Sequence, residues 1–359
     1  MQNKSTTLNF KGENIYVGID THKRNWGISL YTKDIALKTF TQNPDPDLLV
    51  NFLHKNYPLA QYYCAYEAGF CGFWIQKHLE SKGVHCIVVN PADIPTTNKE
   101  KEFKTDPRDC RKIAKSLRSD LLTPIHIHSN YNIACRGIVR TYNDVVKNQT
   151  RFKNKIKSLI NFYGVKYPQE FNSEIPIWSK AFTSWLIQLR LDCEENTWTF
   201  QYYVNEYLKA KEQVKLLTGR VKTLAKTKLF SKSIHLLCSI PGIGIITAMK
   251  ILTELEDIKR FKNLDQLCGY IGLVPTTKSS GDKDKVGEMT NRGNKHLKTA
   301  IIESAWSCTR YDPAMSQKYI ELRKRMEKNK AIVRIAKKLL ARIMYVLINE
   351  KEYKIRVVN

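Results

Sequence analysis

The stretch "IYVGIDTHKRNWGISLYT", Ile15 to Thr32, decides how the first part of this chain folds. Its first run, "IYVGID", is rich in residues that favour strands and ends at Asp20. A second run of the same character, "WGISLYT", follows the polar turn "THKRN". The stretch therefore predicts two consecutive strands, with an acidic residue at the end of the first.

The residues that follow alternate between strand-like and helix-like runs. "QYYCAYEA" (Gln61–Ala68) predicts a strand that ends near Glu67, and "FWIQKHLESKG" (Phe73–Gly83) predicts a helix closed by its glycine. "CIVVN" (Cys86–Asn90) predicts a further strand, which Pro91 stops. This order predicts an α/β domain with a mixed sheet.

The segment "FKTDPRDCRK" (Phe103–Lys112) has two interpretations. As a helix start, it offers Asp106 as the N-cap, Pro107 at the first helical position and Asp109 reaching back to the amide of the cap. As half of a metal site, it uses the spacing of three, which turns Asp106 and Asp109 to one side of the helix. Taken alone, the segment favours the first interpretation.

The chain is strongly basic, because 59 Lys and Arg stand against 34 Asp and Glu, which gives a net charge of +25 and a pI near 9.6. The expected partner is a polyanion, by default nucleic acid. A membrane surface is the alternative, but the sequence has no secretory segment and no apolar run of membrane-spanning length. Nine cysteines occur singly, without metal-ligand spacing, and predict reduced thiols in a cytoplasmic protein.

The middle of the chain is predicted to be helical. Apolar residues recur at helical spacing from Tyr131 to Gly164, and residues 131–166 carry eight Lys or Arg and one Asp, a net charge of +7. These basic residues either lie on a solvated helix face or contact phosphates. The near absence of acidic residues that could pair with them favours phosphate contact. Residues 166–190 are expected to be irregular, and Thr199–Phe230 to resume as a helix that packs antiparallel on the first.

A different module begins near Ser231. "SKSIHLLCSIPGIGIITAMKILTEL" has the pattern of a helix-hairpin-helix, in which Gly242 and Gly244 let a phosphate approach the amides that open the second helix. A plain tight turn explains these glycines equally well. A polar loop between apolar segments follows, and the end of the chain, Leu322–Tyr353, predicts one basic amphipathic helix.

Four acidic residues stand out in this basic chain, two at strand ends (Asp20 and Glu67) and two on one helix face (Asp106 and Asp109). Taken singly, each is more often a turn or surface group. If they converge at one edge of the sheet, they repel one another unless divalent cations neutralise them. Mg²⁺, which takes oxygen ligands, suits such a cluster and supports chemistry on a phosphodiester.

Three stretches of the first domain, "YVGIDTHKRNWGISL", "YEAGFCGFWIQKHLESKGVHCIVVNP" and "KTDPRDCRKIAKSL", together resemble the RuvC-like DEDD domain of insertion-sequence transposases of the IS110 type. Downstream, "LCSIPGIGIITAMKILTEL", "LCGYIGLVPTTKSSGDK" and "MTNRGNKHLKTAIIESAW" resemble the second conserved domain of that family. The resemblance runs from Ile15 to Ala305, apart from the helical middle. The order of the motifs makes it specific.

The resemblance implies a site-specific DNA recombinase of a mobile element, guided by a structured RNA. The four acidic residues match the DEDD carboxylates, which hold Mg²⁺ in that family. Ser280 matches the serine nucleophile that forms a covalent link to DNA, although Ser279, directly before it, is the alternative. The acidic residues Asp282, Asp284 and Glu288 make this loop more acidic than the family pattern.

The resemblance also implies partners and an assembly. The partners are donor and target DNA, a structured guide RNA and further copies of the chain in an assembly of two dimers, located in the cytoplasm at the nucleoid. The residues expected to contact nucleic acid are Lys23, Arg24, Arg151, Lys153, Lys157, Gly242, Gly244, Lys278, Arg292 and Lys295. For Lys23 and Arg24 a solvated turn is the alternative.

The predicted fold class is α/β plus α, with four parts. They are a RuvC/RNase H-like mixed-sheet domain (14–130), a basic helical arm (131–230), a mainly helical domain with the hairpin and the serine loop (231–320), and a basic C-terminal helix (321–359). Two other functions stay open. One is a RuvC-like structure-specific nuclease, such as a junction resolvase, in which Ser280 has no role. The other is a non-catalytic nucleic-acid-binding protein.

Overall fold

The structure, a computed structural model, describes residues 10–95, 106–173, 176–280 and 283–355. Within these ranges, the side chains of residues 106–108, 172–173, 277–280, 283–286 and 288 are not described. The chain divides into two compact units, Met1–Ile127 and His128–Asn359, which we call the sheet unit and the helical unit. The finer division into four parts stays a prediction. No helix within the described ranges is both long and apolar enough to cross a membrane.

Five strands form one mixed sheet in the sheet unit. They are β1 (Asn14–Thr21), β2 (Trp26–Tyr31), β3 (Ala36–Gln42), β4 (Gln61–Glu67) and β5 (His85–Val89). Their order across the sheet is β3-β2-β1-β4-β5. The central strand β1 pairs antiparallel with β2 and parallel with β4. The four predicted strands and the mixed sheet are thereby confirmed, and β3 is a fifth strand that the sequence analysis did not predict.

Helices cover both faces of this sheet. They are α1 (Pro46–Asn56), α2 (Trp74–Ser81) and α3 (Asp106–Arg118). On one face, Ile15, Val17 and Ile19 of β1 are buried in a core with α1 and α2. On the other face, Ile113 of α3 packs with Ala65 of β4. The odd positions of β1 therefore face α1 and α2, and its even positions face α3.

The helical unit contains ten α-helices and one β-hairpin within its described residues. The helices are α4 (Asn130–Phe162), α5 (Glu170–Ser173), α6 (Lys180–Gln188), α7 (Glu194–Ala225), α8 (Ser231–Cys238), α9 (Ile245–Leu255), α10 (Leu264–Ile271), α11 (Lys295–Tyr311), α12 (Pro313–Arg323) and α13 (Lys328–Asn349). The hairpin consists of β6 (Pro275–Ser280) and β7 (Lys283–Met289).

The long helices α4 and α7 form the predicted antiparallel arm. Near one end of the pair, Ile156 of α4 shares a core with Phe200 of α7. Near the other end, Val139 of α4 shares a core with Val221 of α7. The late residues of one helix thus meet the early residues of the other, which confirms the antiparallel packing.

Three expectations for the helical unit are wrong. The segment 166–190 is not irregular throughout, because the Ser179 side chain caps α6 by accepting a hydrogen bond from the Phe182 amide at 3.1 Å. The polar loop forms the hairpin of β6 and β7, whose Lys, Ser and Asp residues are poor strand formers and conceal the pairing. The predicted C-terminal helix has the wrong bounds, because the amides of Arg325 and Met326 both turn back to the carbonyl oxygen of Leu322, which ends α12 before α13 begins at Lys328.

Candidate active site and nucleic-acid interface

Asp20 and Glu67 lie at neighbouring positions on two parallel strands. In the pairing of β1 with β4, Ile19 is opposite Tyr66, and each acidic residue comes next in its strand. Paired residues of parallel strands point to the same face, and successive residues alternate between faces. Asp20, two residues after Gly18, and Glu67 therefore both lie on the face that α3 covers.

A glycine lets α3 pack very close to β1. A Cβ atom at Gly18 would lie 2.1 Å from the carbonyl oxygen of Cys110 and 2.5 Å from the amide nitrogen of Ala114. Because no side chain fits at such distances, only glycine permits this approach. The contact holds Cys110, the residue directly after Asp109, against the strand that carries Asp20. That Asp106 and Asp109 reach the same place stays a prediction.

Cys110 marks the point where α3 meets Asp20. A Cβ atom built on Gly27 would lie 3.5 Å from Sγ of Cys110 and 3.6 Å from Cβ of Asp20, so the two side chains flank the same spot. Burial, followed by the negative charge of Asp20, raises the pKa of the Cys110 thiol to about 11. The thiol therefore stays protonated at neutral pH.

The turn after β1 carries three basic residues. Nε2 of His22 lies 3.1 Å from Oδ2 of Asp20, whereas Lys23 and Arg24 are exposed. His22 also lines a pocket of about 240 Å³ together with Arg111, whose Nε donates a hydrogen bond to Oγ1 of Thr39 at 3.1 Å. Basic side chains thus stand beside the acidic strand end, where they suit the binding of a phosphate.

The hairpin of β6 and β7, which we call the serine hairpin, is closely packed where its two strands begin and end. Two glycines meet there, because a Cβ atom on Gly272 would lie 2.2 Å from the carbonyl oxygen of Arg292 and one on Gly293 would lie 2.6 Å from the amide nitrogen of Gly272. The amide of Thr290 donates to the carbonyl oxygen of Val274 at 3.0 Å. The two ends of the hairpin therefore pack directly against each other.

The tip of this hairpin carries the predicted nucleophile. Ser280 ends β6 and pairs with Lys283, and Ser279 pairs with Asp284. The side chains of Ser279, Ser280 and Lys278 lie outside the described set, as do residues 281–282. The choice between Ser279 and Ser280 therefore stays a prediction.

A basic cleft of about 910 Å³ lies between α4, α9 and α11. Its cationic lining consists of Lys147, Arg151, Lys155, Lys250 and Lys295, with His296 beside them and Glu303 as an acidic member. Burial, helped by the positive charge of Lys147, lowers the pKa of Lys250, while Glu303 opposes this shift. The concentration of lysine and arginine suits a phosphodiester backbone.

The arm presents its basic residues on two different faces. Lys147, Arg151 and Lys155 follow one another at intervals of four and line the cleft. Lys153 instead lies over the rings of Trp178 and Tyr207, with Nζ 5.1 and 5.7 Å from the two ring centroids. Lys157 lies over the ring of Trp178 as well, at 6.0 Å. Of the three arm residues predicted to contact nucleic acid, only Arg151 lines the cleft.

The "PGIG" turn between α8 and α9 gives its two glycines different surroundings. Gly242 has a φ of +89°, and a Cβ atom on it would lie 2.7 Å from the carbonyl oxygen of Ser304 in α11. Packing against α11 is thus sufficient reason for a glycine there. Gly244 is exposed with open space around it, and caps the start of α9. Phosphate binding at this turn stays a prediction.

Comparisons with known proteins agree with this architecture. The DEDD transposase model of the IS110 type matches residues 17–165, and the model of the Transposase IS116/IS110/IS902 family matches residues 234–320. The first match covers β1 from Val17 onward, the other four strands, α3 and the arm helix α4, and the second covers the "PGIG" turn, the hairpin and α11. The chain belongs to the IS110 family of transposases.

Curated relatives of this IS110-family chain cover most of its length. The chain is 28% identical to "Putative transposase y4qE" of Sinorhizobium fredii over 72% of this chain and 60% of the relative. It is 25% identical to the transposase for insertion sequence element IS1533 of Leptospira borgpetersenii, over 69% of this chain and 72% of the relative. It is also 25% identical to the transposase for IS1111A of Coxiella burnetii, over 71% and 69%.

Family membership makes the chain a DNA transposase, an enzyme that acts on DNA, and a DEDD domain suggests a divalent metal. The described donor set fits such an ion, because Asp20, Glu67 and Asp109 offer only carboxylate oxygens. Among the described side chains, the ligand atoms of these three do not all lie within 4.8 Å of one another. An ion held here would keep water ligands as well, which Mg²⁺ favours.

Sequence reasoning missed several residues of this transposase that the structure places beside its predicted ones. Lys147 and Lys155 escaped notice although their spacing of four from Arg151 was a readable signal. Lys250 and His296 come from other helices, and no local pattern could have assigned them to the same cleft. Glu254 was also missed, although an acidic residue in the apolar run "ILTEL" is an unusual feature.

Proposed function

We propose that this IS110-family transposase is an RNA-guided recombinase that joins DNA to Ser280 as a covalent intermediate and holds Mg²⁺ with Asp20, Glu67, Asp106 and Asp109. The observation that carries the proposal is the position of Asp20 and Glu67 on adjacent strand ends, on the face of the sheet that α3 covers. Carboxylates that converge at one site repel one another, and a divalent cation bound between them relieves this repulsion.

The proposed reaction exchanges one phosphoester bond for another. Oγ of Ser280 attacks a DNA phosphorus atom, so that an O–P bond to serine forms while one P–O bond of the DNA backbone breaks. The serine proton passes to a base or to solvent, and the departing DNA oxygen takes up a proton. When bound, Mg²⁺ polarises the phosphate and lowers the pKa of the attacking hydroxyl. Because the serine ester retains the bond energy, reversing the step on another strand rejoins DNA without ATP.

In the same proposal, the basic cleft binds a nucleic-acid backbone. Its lysines and Arg151 neutralise phosphates without reading bases. Base choice is delegated to pairing with a guide RNA, as in other guided systems. The net charge of +25 supports backbone binding by the protein, and the sequence resemblance supports base recognition by a guide RNA.

The serine step is tested by comparing Ser280→Ala with its matched neighbour, Ser279→Ala. We expect that Ser280→Ala yields no protein-linked DNA on a denaturing gel, while Ser279→Ala still forms the adduct. The reverse result moves the nucleophile by one residue. Metal-dependent cutting that persists in Ser280→Ala, when the wild type never forms an adduct, favours a nuclease instead.

The guide RNA is tested by purifying the protein together with co-expressed DNA that flanks the element. We expect one discrete RNA to co-purify, and sequencing identifies it. A size-matched unrelated transcript, expressed in parallel, is the control. If only random fragments bind, the guided part of the proposal is wrong, and the serine step is unaffected by that result.

The proposed assembly of two dimers shares each active site between protomers. Mixing Asp20→Asn protein with Ser280→Ala protein tests this arrangement, because each inactive chain supplies the half that the other lacks. We expect the mixture to regain activity if the carboxylates and the serine come from different protomers. Each variant alone stays inactive, and a mixture that is equally inactive contradicts the shared site.

A further inference from the structure

Glu254 is a buried acidic residue in an apolar stretch of α9. Only 1% of its surface is exposed, and its neighbours Ile251, Leu252 and Leu255 are buried too. A carboxylate in such surroundings is costly unless charged or polar partners compensate for the lost water. The identity of those partners indicates what the residue does.

The partners of Glu254 come from three other elements. Arg140 of the arm donates from Nε to Oε1 at 2.6 Å and from Nη2 to Oε2 at 2.8 Å. Nδ2 of Asn294 donates to Oε2 at 2.7 Å, and the hydroxyl of Tyr270 donates to the backbone carbonyl oxygen of Glu254 at 3.0 Å. One residue thus connects α9 to the arm, to α10 and to the segment before α11.

These partners keep Glu254 ionised. Burial raises the pKa of its carboxyl group, but hydrogen bonds from Arg140 and Asn294, with the charge of Arg140, outweigh burial and leave the pKa below its usual value. Conversely, the hydrogen bond to Glu254 raises the pKa of Arg140. The pair is therefore charged at neutral pH and oriented in two-point geometry.

Asn294 carries the connection to the serine hairpin. Its Oδ1 accepts a hydrogen bond from the amide of Leu297 at 3.1 Å and caps α11, and its own amide donates to the carbonyl oxygen of Tyr270 at 2.9 Å. Gly293, directly before it, is the residue packed against Gly272 at the base of the hairpin. Both sides of the hairpin base are thus tied, through Asn294 and Tyr270, to Glu254.

The same helices build the basic cleft. Lys250 precedes Glu254 by one turn of α9, Lys295 follows Asn294 directly, and Lys147 follows Arg140 by two turns of α4. A phosphodiester backbone bound by these residues draws on α4, α9 and α11 together. The Glu254 contacts join the same three elements, without touching the cationic side chains that line the cleft.

We propose that Glu254 is a positioning residue, which holds the serine hairpin in its working place and couples it to nucleic acid bound in the basic cleft. The inference rests on the proposed function of Ser280 and adds a route from the binding surface to the nucleophile. Glu254 does not touch DNA in this role. Its effect passes through Arg140 and Asn294 to the hairpin base.

The test compares wild-type protein with Glu254→Gln, which keeps the size of the side chain and removes its charge. Two quantities are measured with element-end DNA: the dissociation constant, and the single-turnover rate of protein-linked DNA formation at saturating DNA. We expect the rate to fall by about 10- to 100-fold, in line with the cost of displacing a reacting group by about 1 Å. The dissociation constant is expected to change by less than about threefold, since no phosphate contact is lost.

A second pair of variants moves the carboxylate instead of deleting it. Asn294→Asp keeps an oxygen that caps α11 but sets a second carboxylate against Glu254, and we expect the rate to fall. In Glu254→Gln/Asn294→Asp the amide of residue 254 donates to the carboxylate of residue 294, and we expect much of the rate to return. Glu321→Gln, which breaks an exposed ion pair with Lys318 in the same unit, is the control for loss of one charge.

Hydrogen exchange separates this inference from the proposed chemistry. We expect the amides of residues 275–289 to exchange more slowly when DNA is added to wild-type protein, and to show no such change in Glu254→Gln. If the wild type forms no adduct but shows this protection, the serine mechanism fails and the coupling stands. If Glu254→Gln matches the wild type in rate and in protection while it is folded, the coupling is wrong.

If Glu254→Gln does not fold, Arg140→Lys replaces it in both measurements. This variant keeps the charge and loses the two-point contact.

Discussion

The acidic strand ends of the sheet unit and the basic cleft of the helical unit are built in opposite ways. The strand ends place Asp20 and Glu67 on adjacent strands, under a helix that a glycine holds at contact distance. The cleft is lined by long lysine and arginine side chains from three helices, several of them exposed. Backbone geometry fixes the first region, whereas flexible side chains form the second.

This difference teaches where the molecule tolerates change. A metal ion with phosphate ligands requires oxygens in fixed positions, so a single loss at the strand ends removes the whole function. A phosphodiester backbone is bound by charge at several points, so the loss of one basic residue removes only a fraction of the binding free energy. We expect all-or-none effects in the sheet unit and graded effects in the cleft.

The largest effect is expected for Asp20→Asn. It removes one carboxylate charge from the proposed metal site and should slow adduct formation by about 10³-fold or more, since metal ligation supplies several kcal/mol of transition-state stabilisation. DNA affinity should stay within about twofold, because the substitution removes no basic contact. Asp34→Asn, at an exposed turn of the same unit, is the control. Normal adduct formation by Asp20→Asn would place the metal elsewhere.

The second effect tests the close approach of α3. Gly18→Ala puts a Cβ atom 2.1 Å from the carbonyl oxygen of Cys110, so the helix must move away from β1. We expect a loss of about 3 kcal/mol in unfolding free energy, the upper range for overpacking, measured by urea unfolding. Gly137→Ala, in α4 with open space around it, should be neutral or stabilising by about 0.5–1 kcal/mol. Equal stability of the two variants would contradict the packing.

The sheet unit was largely predictable from its sequence. Strand-forming runs and the glycine after α2 predicted four of the five strands and α2, because local composition reports local structure, whereas β3 and α1 were not predicted. The shared edge of Asp20 and Glu67 followed from strand ends alone. The role of Gly18 did not, because its reason lies in Cys110, about ninety residues later in the chain, and no local signal reports such a distant contact.

The third effect compares the two faces of the arm. Arg151→Gln removes a cleft residue and should lower the slope of log affinity against log salt by about 0.9, the amount expected for one phosphate contact. Lys153→Gln removes a lysine that lies over Trp178 and Tyr207 and should leave the slope nearly unchanged. Salt titrations of DNA binding measure both slopes. Equal slopes for the two variants would mean that the cleft is not the nucleic-acid surface.

The helical unit was less predictable, for a physical reason. Its arm was visible as a periodic pattern, but its hairpin is rich in Lys, Ser and Asp, which have low strand propensity, and the packing of Gly272 against Gly293 at its base joins segments about twenty residues apart. The basic charge of the arm was visible too, but the sequence did not show that Arg151 and Lys153 lie on different faces of it. That division depends on Trp178, which lies in a segment expected to be irregular.

The smallest effect is expected from acid, at the buried acidic residue beside the cleft. The pKa of Glu254 is lowered in the folded protein, so its ionised form stabilises the fold, and that contribution is complete above the unfolded pKa of about 4.3. It is lost as the pH falls through the lower, folded pKa.

The melting temperature of Glu254→Gln should therefore lie below that of the wild type at pH 7. This difference in melting temperature should narrow below about pH 4.3, since only the wild type loses this charge. All other acidic groups titrate in both proteins, so the difference between the two melting curves isolates Glu254. A gap that stays constant down to pH 3 would mean that the carboxylate contributes through its shape and not its charge, and the two-point contact with Arg140 would then be dispensable.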